Sequence, residues 1–137
     1  MSDTQDTLET LTQAQLDAMA DLHARFLSGR LGGRRATLKN ADLSGLSFAG
    51  KDMRQADFTG CKMTGMDLSK ANFSEARLYA CELSDSNLAR CNFARADLRG
   101  ARIQSANLEQ ANFDKADLRV GGFSKNGMYD TGESVSF

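Results

Sequence analysis

Residues 96–115 read ADLRG-ARIQS-ANLEQ-ANFDK. Divided every five residues, each unit opens on Ala and centres on a large apolar side chain, here Leu98, Ile103, Leu108 and Phe113. The same step runs outward in both directions. Backward it meets Phe93, Leu88, Leu83, Leu78, Phe73, Leu68, Met63, Phe58, Met53, Phe48, Leu43 and Leu38, and forward Leu118 and Phe123. All 18 centres are large and apolar, although Leu, Ile, Val, Met and Phe supply only 33 of 137 residues. Chance does not place them so. Two residues before each centre, ten of the 18 positions are Ala and five more are small: Cys61, Cys81, Ser86, Cys91 and Gly121. Only Leu46, Lys51 and Met66 break that rule.

A period of five suits neither a helix nor a simple strand, whose side chains repeat at 3.6 and 2. It suits a coil that turns one corner per unit, with one large and one small side chain inside. No unit buries its centre alone, so successive circuits must stack and pair like parallel strands. The absence of Pro leaves every backbone N–H free to pair. The expected structural core is Phe73, Phe93, Phe113, Leu78, Leu98, Leu83, Ile103, Leu88 and Leu108.

The pattern A-(D/N)-L-x-x resembles that of the bacterial pentapeptide-repeat proteins. This resemblance implies an all-β solenoid, a right-handed quadrilateral β-helix with 20 residues per circuit and about four and a half coils. The sequence supports four units per circuit on its own terms. Phe73, Phe93 and Phe113 lie 20 apart above Met53, as do Asn72, Asn92 and Asn112. Asp42, Lys62, Glu82 and Arg102 alternate in charge at the same spacing, which favours this register.

Three segments are expected: a tail, capping helix and Gly-rich loop over 1–35; the β-helix over 36–125; and an irregular tail over 126–137, where further repeats would begin. Leu16, Met19, His23, Phe26 and Leu27 follow helical spacing. Thr10 or Thr12 caps the start, and Gly29, Gly32 and Gly33 stop it. The stretch from His23 to Gly45 also resembles a leader that precedes the repeats in many bacterial members. Phe26 takes its aromatic place. The far end is less tidy, because the units decay after Phe123. That end is expected to continue into a longer repeat protein, or to be covered by a partner or a second copy.

The totals narrow the function. A net charge of −1 recruits neither nucleic acid nor an anionic membrane. No apolar run is long enough to span a bilayer, and the acidic start, Met1 to Asp6, is wrong for an export leader. A cytoplasmic protein is expected. His23, the single histidine, is read as packed at the cap, and Cys61, Cys81 and Cys91 as core filler at the small inward position. The repeated Asp and Asn serve corners. Arg30, Arg34 and Arg35, with Arg90, Arg95, Arg99, Arg102, Lys115 and Arg119, form basic patches that Asp97, Glu109, Asp114 and Asp117 dilute.

No catalytic residue, cofactor site or metal site is expected, and no small-molecule substrate. The reading is a non-catalytic scaffold that binds another protein, with end-to-end self-association as a further expectation. The alternative comes from the resemblance, since some members mimic DNA and modulate DNA gyrase or another topoisomerase. Mimicry wants an acidic surface, whereas residues 36–125 carry 13 Lys plus Arg against 11 Asp plus Glu, a net of +2.

Overall fold

The computed structural model describes residues 8–120 and Phe137. Its described elements, in chain order, are β1 (Glu9–Thr10), α1 (Gln13–Leu27) and β2 (Ala41–Asp42), followed by a regular succession of turns. The expected unit around Phe123 and nearly all of the 126–137 tail lie outside the described residues.

The 20-residue register is the organising rule. The residue before each centre bridges in parallel to its counterpart one circuit on: Thr37 to Asp57, Asp57 to Arg77, Arg77 to Asp97 and Asp97 to Asp117 on one face, with the same series on the other three. Two bonds per face make each bridge. The Leu38 N–H donates to the Asp57 carbonyl at 2.8 Å, and the Asp57 N–H donates to the Ala36 carbonyl at 3.0 Å. Instead of continuous strands, the pairing consists mostly of isolated bridges. Only one or two residues of each unit are extended before the chain must turn, too few for a ladder.

The corners explain the rest of the repeat. The N–H that opens the next unit donates back to the preceding centre, as Ala56 does to the Met53 carbonyl at 3.1 Å. The third residue of that turn has positive φ at every described corner, from Asn40 (57°) through Arg95 (59°) to Lys115 (60°). This is the φ pattern of a type II turn. The Asp or Asn before the centre braces the corner, its Oδ1 accepting from the N–H two residues on: Ser74 to Asn72 at 3.0 Å, Ala94 to Asn92 at 2.9 Å. These side chains are corner braces.

Inside, the large centres pile in columns. Phe73 stacks on Phe93 at 6.0 Å between ring centroids, and Phe93 on Phe113 at 5.2 Å, both nearly parallel. Below Phe73 the column passes to Met53, and Phe73 instead meets Phe48 and Phe58 edge-on at 6.3 Å each. Leu78, Leu83, Leu88, Leu98 and Ile103 are fully buried with them. Leu108 and Phe113 are only partly buried, being on the last circuit among the described residues. Each fully buried large side chain stabilises the fold by about 1.5–3 kcal/mol.

The N-terminal end is built differently. Thr12 and Gln15 form a reciprocal capping box at the start of α1, and Ser28 ends it. The helix buries Leu16, Ala20 and His23, whereas Phe26, expected on the same inward stripe, stays 37% exposed. At Gly33 a Cβ would collide with the backbone of Arg25 and Phe26, so only Gly lets the chain pass this close. Thr10 is not the helix cap. With Glu9 it forms β1, which pairs in parallel with β2, Glu9 against Ala41 and Thr10 against Asp42. The expected tail thus adds a strand to the solenoid.

Candidate functional site

The outward side chains line up in columns, because residues 20 apart pair directly. On one face Asp57, Arg77, Asp97 and Asp117 follow one another, with Tyr79, Arg99 and Arg119 alongside. Arg99 binds Asp97 at 2.7 Å, reaches Asp117 at 3.8 Å and lies over the Tyr79 ring at 5.1 Å. Its guanidinium is held in the charged form chiefly by the Asp97 hydrogen bond. Asp57 is 5% exposed; its Oδ1 accepts from the Thr59 N–H at 3.0 Å and the Thr59 hydroxyl at 2.6 Å. On the next face Asp42 bridges to Lys62, Lys62 to Glu82 and Glu82 to Arg102. Charges thus alternate in sign along this second column.

The three thiols are interior groups. All are free and buried. Cys81 Sγ points its proton at the Phe58 carbonyl at 2.9 Å, and Cys61 points at Leu38 at 3.6 Å. Ser86 occupies the equivalent position and donates to the Met63 carbonyl at 2.8 Å. Burial pushes the Cys61 thiol up to about 11, and pushes Cys81 and Cys91 further up. A thiol so held is not a nucleophile at neutral pH. Among the described residues no group of three or more His, Cys, Asp or Glu side chains could hold a metal ion, and no helix is long and apolar enough to cross a membrane.

A cleft of about 410 Å³ runs beside α1, between Met19 and Leu22 on one wall and Arg34 and Arg35 on the other. The Arg35 Nε donates to the Gln55 carbonyl at 2.6 Å, which fixes that wall. The cleft joins an apolar floor to a basic rim and converges on no titratable pair.

The open edge of the first circuit holds the least expected chemistry. There the backbone groups that an earlier circuit would satisfy are met by other means. The Leu11 N–H donates to the Asp42 carbonyl at 3.3 Å, continuing β1. The Gln13 carboxamide pairs with Ser47 as a peptide would, donating to its carbonyl at 2.9 Å and accepting from its N–H at 2.8 Å. The His23 ring lies between Arg54 and Ala36, bonded to both. Gln13 was missed from the sequence, because neither its position nor its type belongs to the five-residue pattern.

Comparison with known proteins places these features. The model of the pentapeptide repeat region matches residues 34–108. Among solved structures, a pentapeptide repeat protein of the Arabidopsis thaliana thylakoid lumen is 29% identical, over 68% of this chain and 72% of its own, with a TM-score of 0.40. The cyanobacterial protein Rfr23 of Cyanothece is 24% identical over 59% of this chain, with a TM-score of 0.33, and the chain spans 58% of its length. QnrB1, a plasmid-mediated fluoroquinolone resistance protein, is 18% identical over 76% of this chain and 66% of its own, with a TM-score of 0.37. No curated protein matches. With the repeat model matching more than half of the chain, and the register, corners and columns built as that repeat requires, the chain belongs to the pentapeptide-repeat family.

Proposed function

We propose that this protein is a non-catalytic scaffold whose faces bind another protein, with α1 capping the N-terminal end of a right-handed solenoid. The observation that carries this reading is the column register. Every outward position recurs directly above its counterpart one circuit below, on a backbone pinned at each corner. Such an array presents side chains at a fixed spacing of about 4.8 Å with little ordering cost on binding. The thiols and the histidine, groups from which catalysis is usually assembled, are committed to the interior.

The DNA-mimic alternative finds less support. Columns such as Asp42, Lys62, Glu82 and Arg102 alternate in sign, whereas a duplex presents uniform negative charge along its axis.

The test is a set of four variants, each reversing two outward charges on one face, used as bait beside the native protein in cytosolic extract. With circular dichroism unchanged in all four, one face's variant should lose a specific captured protein while the other three retain it. Equal capture by all four, or none by the native protein, ends the scaffold reading. Inhibition or protection of gyrase in a supercoiling assay would replace it with the alternative.

A further inference from the structure

His23 does the work of a missing peptide group. In later circuits the N–H at the Ala36 position closes a corner, as Ala76 does on the Phe73 carbonyl at 3.0 Å. Ala36 donates instead to His23 Nδ1 at 2.9 Å. Likewise the Ser74 carbonyl, one circuit above Arg54, accepts from the Gln55 N–H at 3.1 Å. Arg54 has no described circuit beneath it, and its carbonyl pairs with His23 Nε2 at 2.8 Å. A carbonyl cannot donate, so Nε2 carries the proton; an amide N–H cannot accept, so Nδ1 must be bare. Only the neutral ring in this tautomer fits, and it is fully buried.

We propose that His23 is an acid-operated latch: a proton added at Nδ1 sets two donors against each other at Ala36, and α1 releases the first circuit, uncovering its sheet edge. The charged groups facing the ring all belong to the first circuit or the chain just before it: Asp52, Arg54 and Arg35. From α1 itself the Phe26 ring faces it at 5.6 Å. Asp52 favours an imidazolium, but its carboxylate is bound to Arg54 at 2.8 Å, and Arg35 adds a further positive charge. Burial, the largest influence, prevails and holds the ring below its ordinary 6.5.

The sign follows. A released His23 takes up its proton more readily than a docked one, so docking is complete above about pH 6.5 and weakens as pH falls from there toward the docked value. Asp42 and Asp52 are held below the ordinary carboxylate range by hydrogen bonds, from the Ser44 N–H and from Arg54 respectively. Their contribution is lost only near and below about pH 4, a separate window.

Hydrogen exchange of the full chain, corrected for intrinsic rates, tests the latch. Between pH 7.5 and 5.5 the opening of residues 13–27 should rise, at up to about tenfold per pH unit below 6.5, while residues 71–90 stay unchanged. His23→Gln keeps a donor and an acceptor but does not titrate, and should flatten the response. If that variant fails to dock at either pH, the native protein still decides. Its single imidazole gives one titration curve by NMR, which should coincide with loss of the Ala36 amide's protection. Unchanged α1 protection at pH 5.5, or a ring that titrates while the Ala36 amide stays protected, overturns the proposal.

Discussion

Residues 56–100 and the first circuit meet the same requirement by opposite means. In the middle of the solenoid the bridging backbone groups find their partners one circuit away, as the Phe73 N–H does on the Asn92 carbonyl at 2.7 Å and the Asn92 N–H on the Ala71 carbonyl at 3.0 Å, while the corners close on themselves. The repeat serves itself there. At the N-terminal edge no circuit lies beneath among the described residues, and the partners come from a strand, a carboxamide and an imidazole, supplied by β1, Gln13 and His23. A repeat specifies contacts between copies, so its ends need residues that do not repeat. Those residues carry most of the edge's vulnerability, since an open edge invites pairing with other chains.

Four substitutions sharpen the contrast. Phe93→Asp strikes the interior and has the largest expected effect. A carboxylate between Phe73 and Phe113 has no partner, and burying one costs more than a domain's whole stability margin. Loss of the cooperative melt and of the native circular dichroism spectrum is expected; a soluble, native-like variant would contradict the column.

Gln13→Leu strikes the edge. It strands the Ser47 N–H and carbonyl, at about 1–3 kcal/mol. Urea denaturation should show that loss, with exchange increased around Ser47 and not around Asn92. Equal exchange at both would mean that the edge and the interior do not differ.

Thr12→Ala removes the capping box from α1 and should cost about 1 kcal/mol, read as a lower urea midpoint with an unchanged slope. The smallest effect goes the other way. Arg95 occupies the left-handed corner at φ 59°, a conformation that burdens any residue with a Cβ. Arg95→Gly is expected to raise stability by about 0.5–1 kcal/mol, seen as a higher melting temperature. A fall would mean that the Arg95 side chain contributes more than its backbone costs.

Much of the interior was legible in advance. The step of five named the centres, and the 20-residue coincidences placed Phe73, Phe93 and Phe113 in one column, as the rings lie. The corners were only half legible. Glycines at 45, 50, 60, 65 and 100 advertised turns, but Lys70, Glu75, Arg90 and Arg95 hold the same positive φ without advertising it. A Cβ at Gly45 or Gly50 would meet nothing within 4 Å. The space around these corners does not select the residue, and only the modest backbone cost of positive φ favours Gly, so residue type there is weakly constrained. On α1, Thr12 was one of two candidate caps, beside Thr10, and Gln15 and β1 were not anticipated. Leu11 follows β1 but lies 32 residues before Leu43, out of phase with a step of five.

The sequence alone determined the repeat, its phase and the identity of the buried centres, because those depend on local spacing and on which side chains avoid water. Tertiary structure decided how the ends are finished. The pairings of Gln13 with Ser47 and of His23 with Ala36 and Arg54 join residues 13 to 34 positions apart. Their partners are backbone groups, which every residue carries alike, so no side-chain pattern marks them. Only the closed circuit leaves those particular N–H and carbonyl groups unmet, and only the docked helix brings a ring and an amide to meet them.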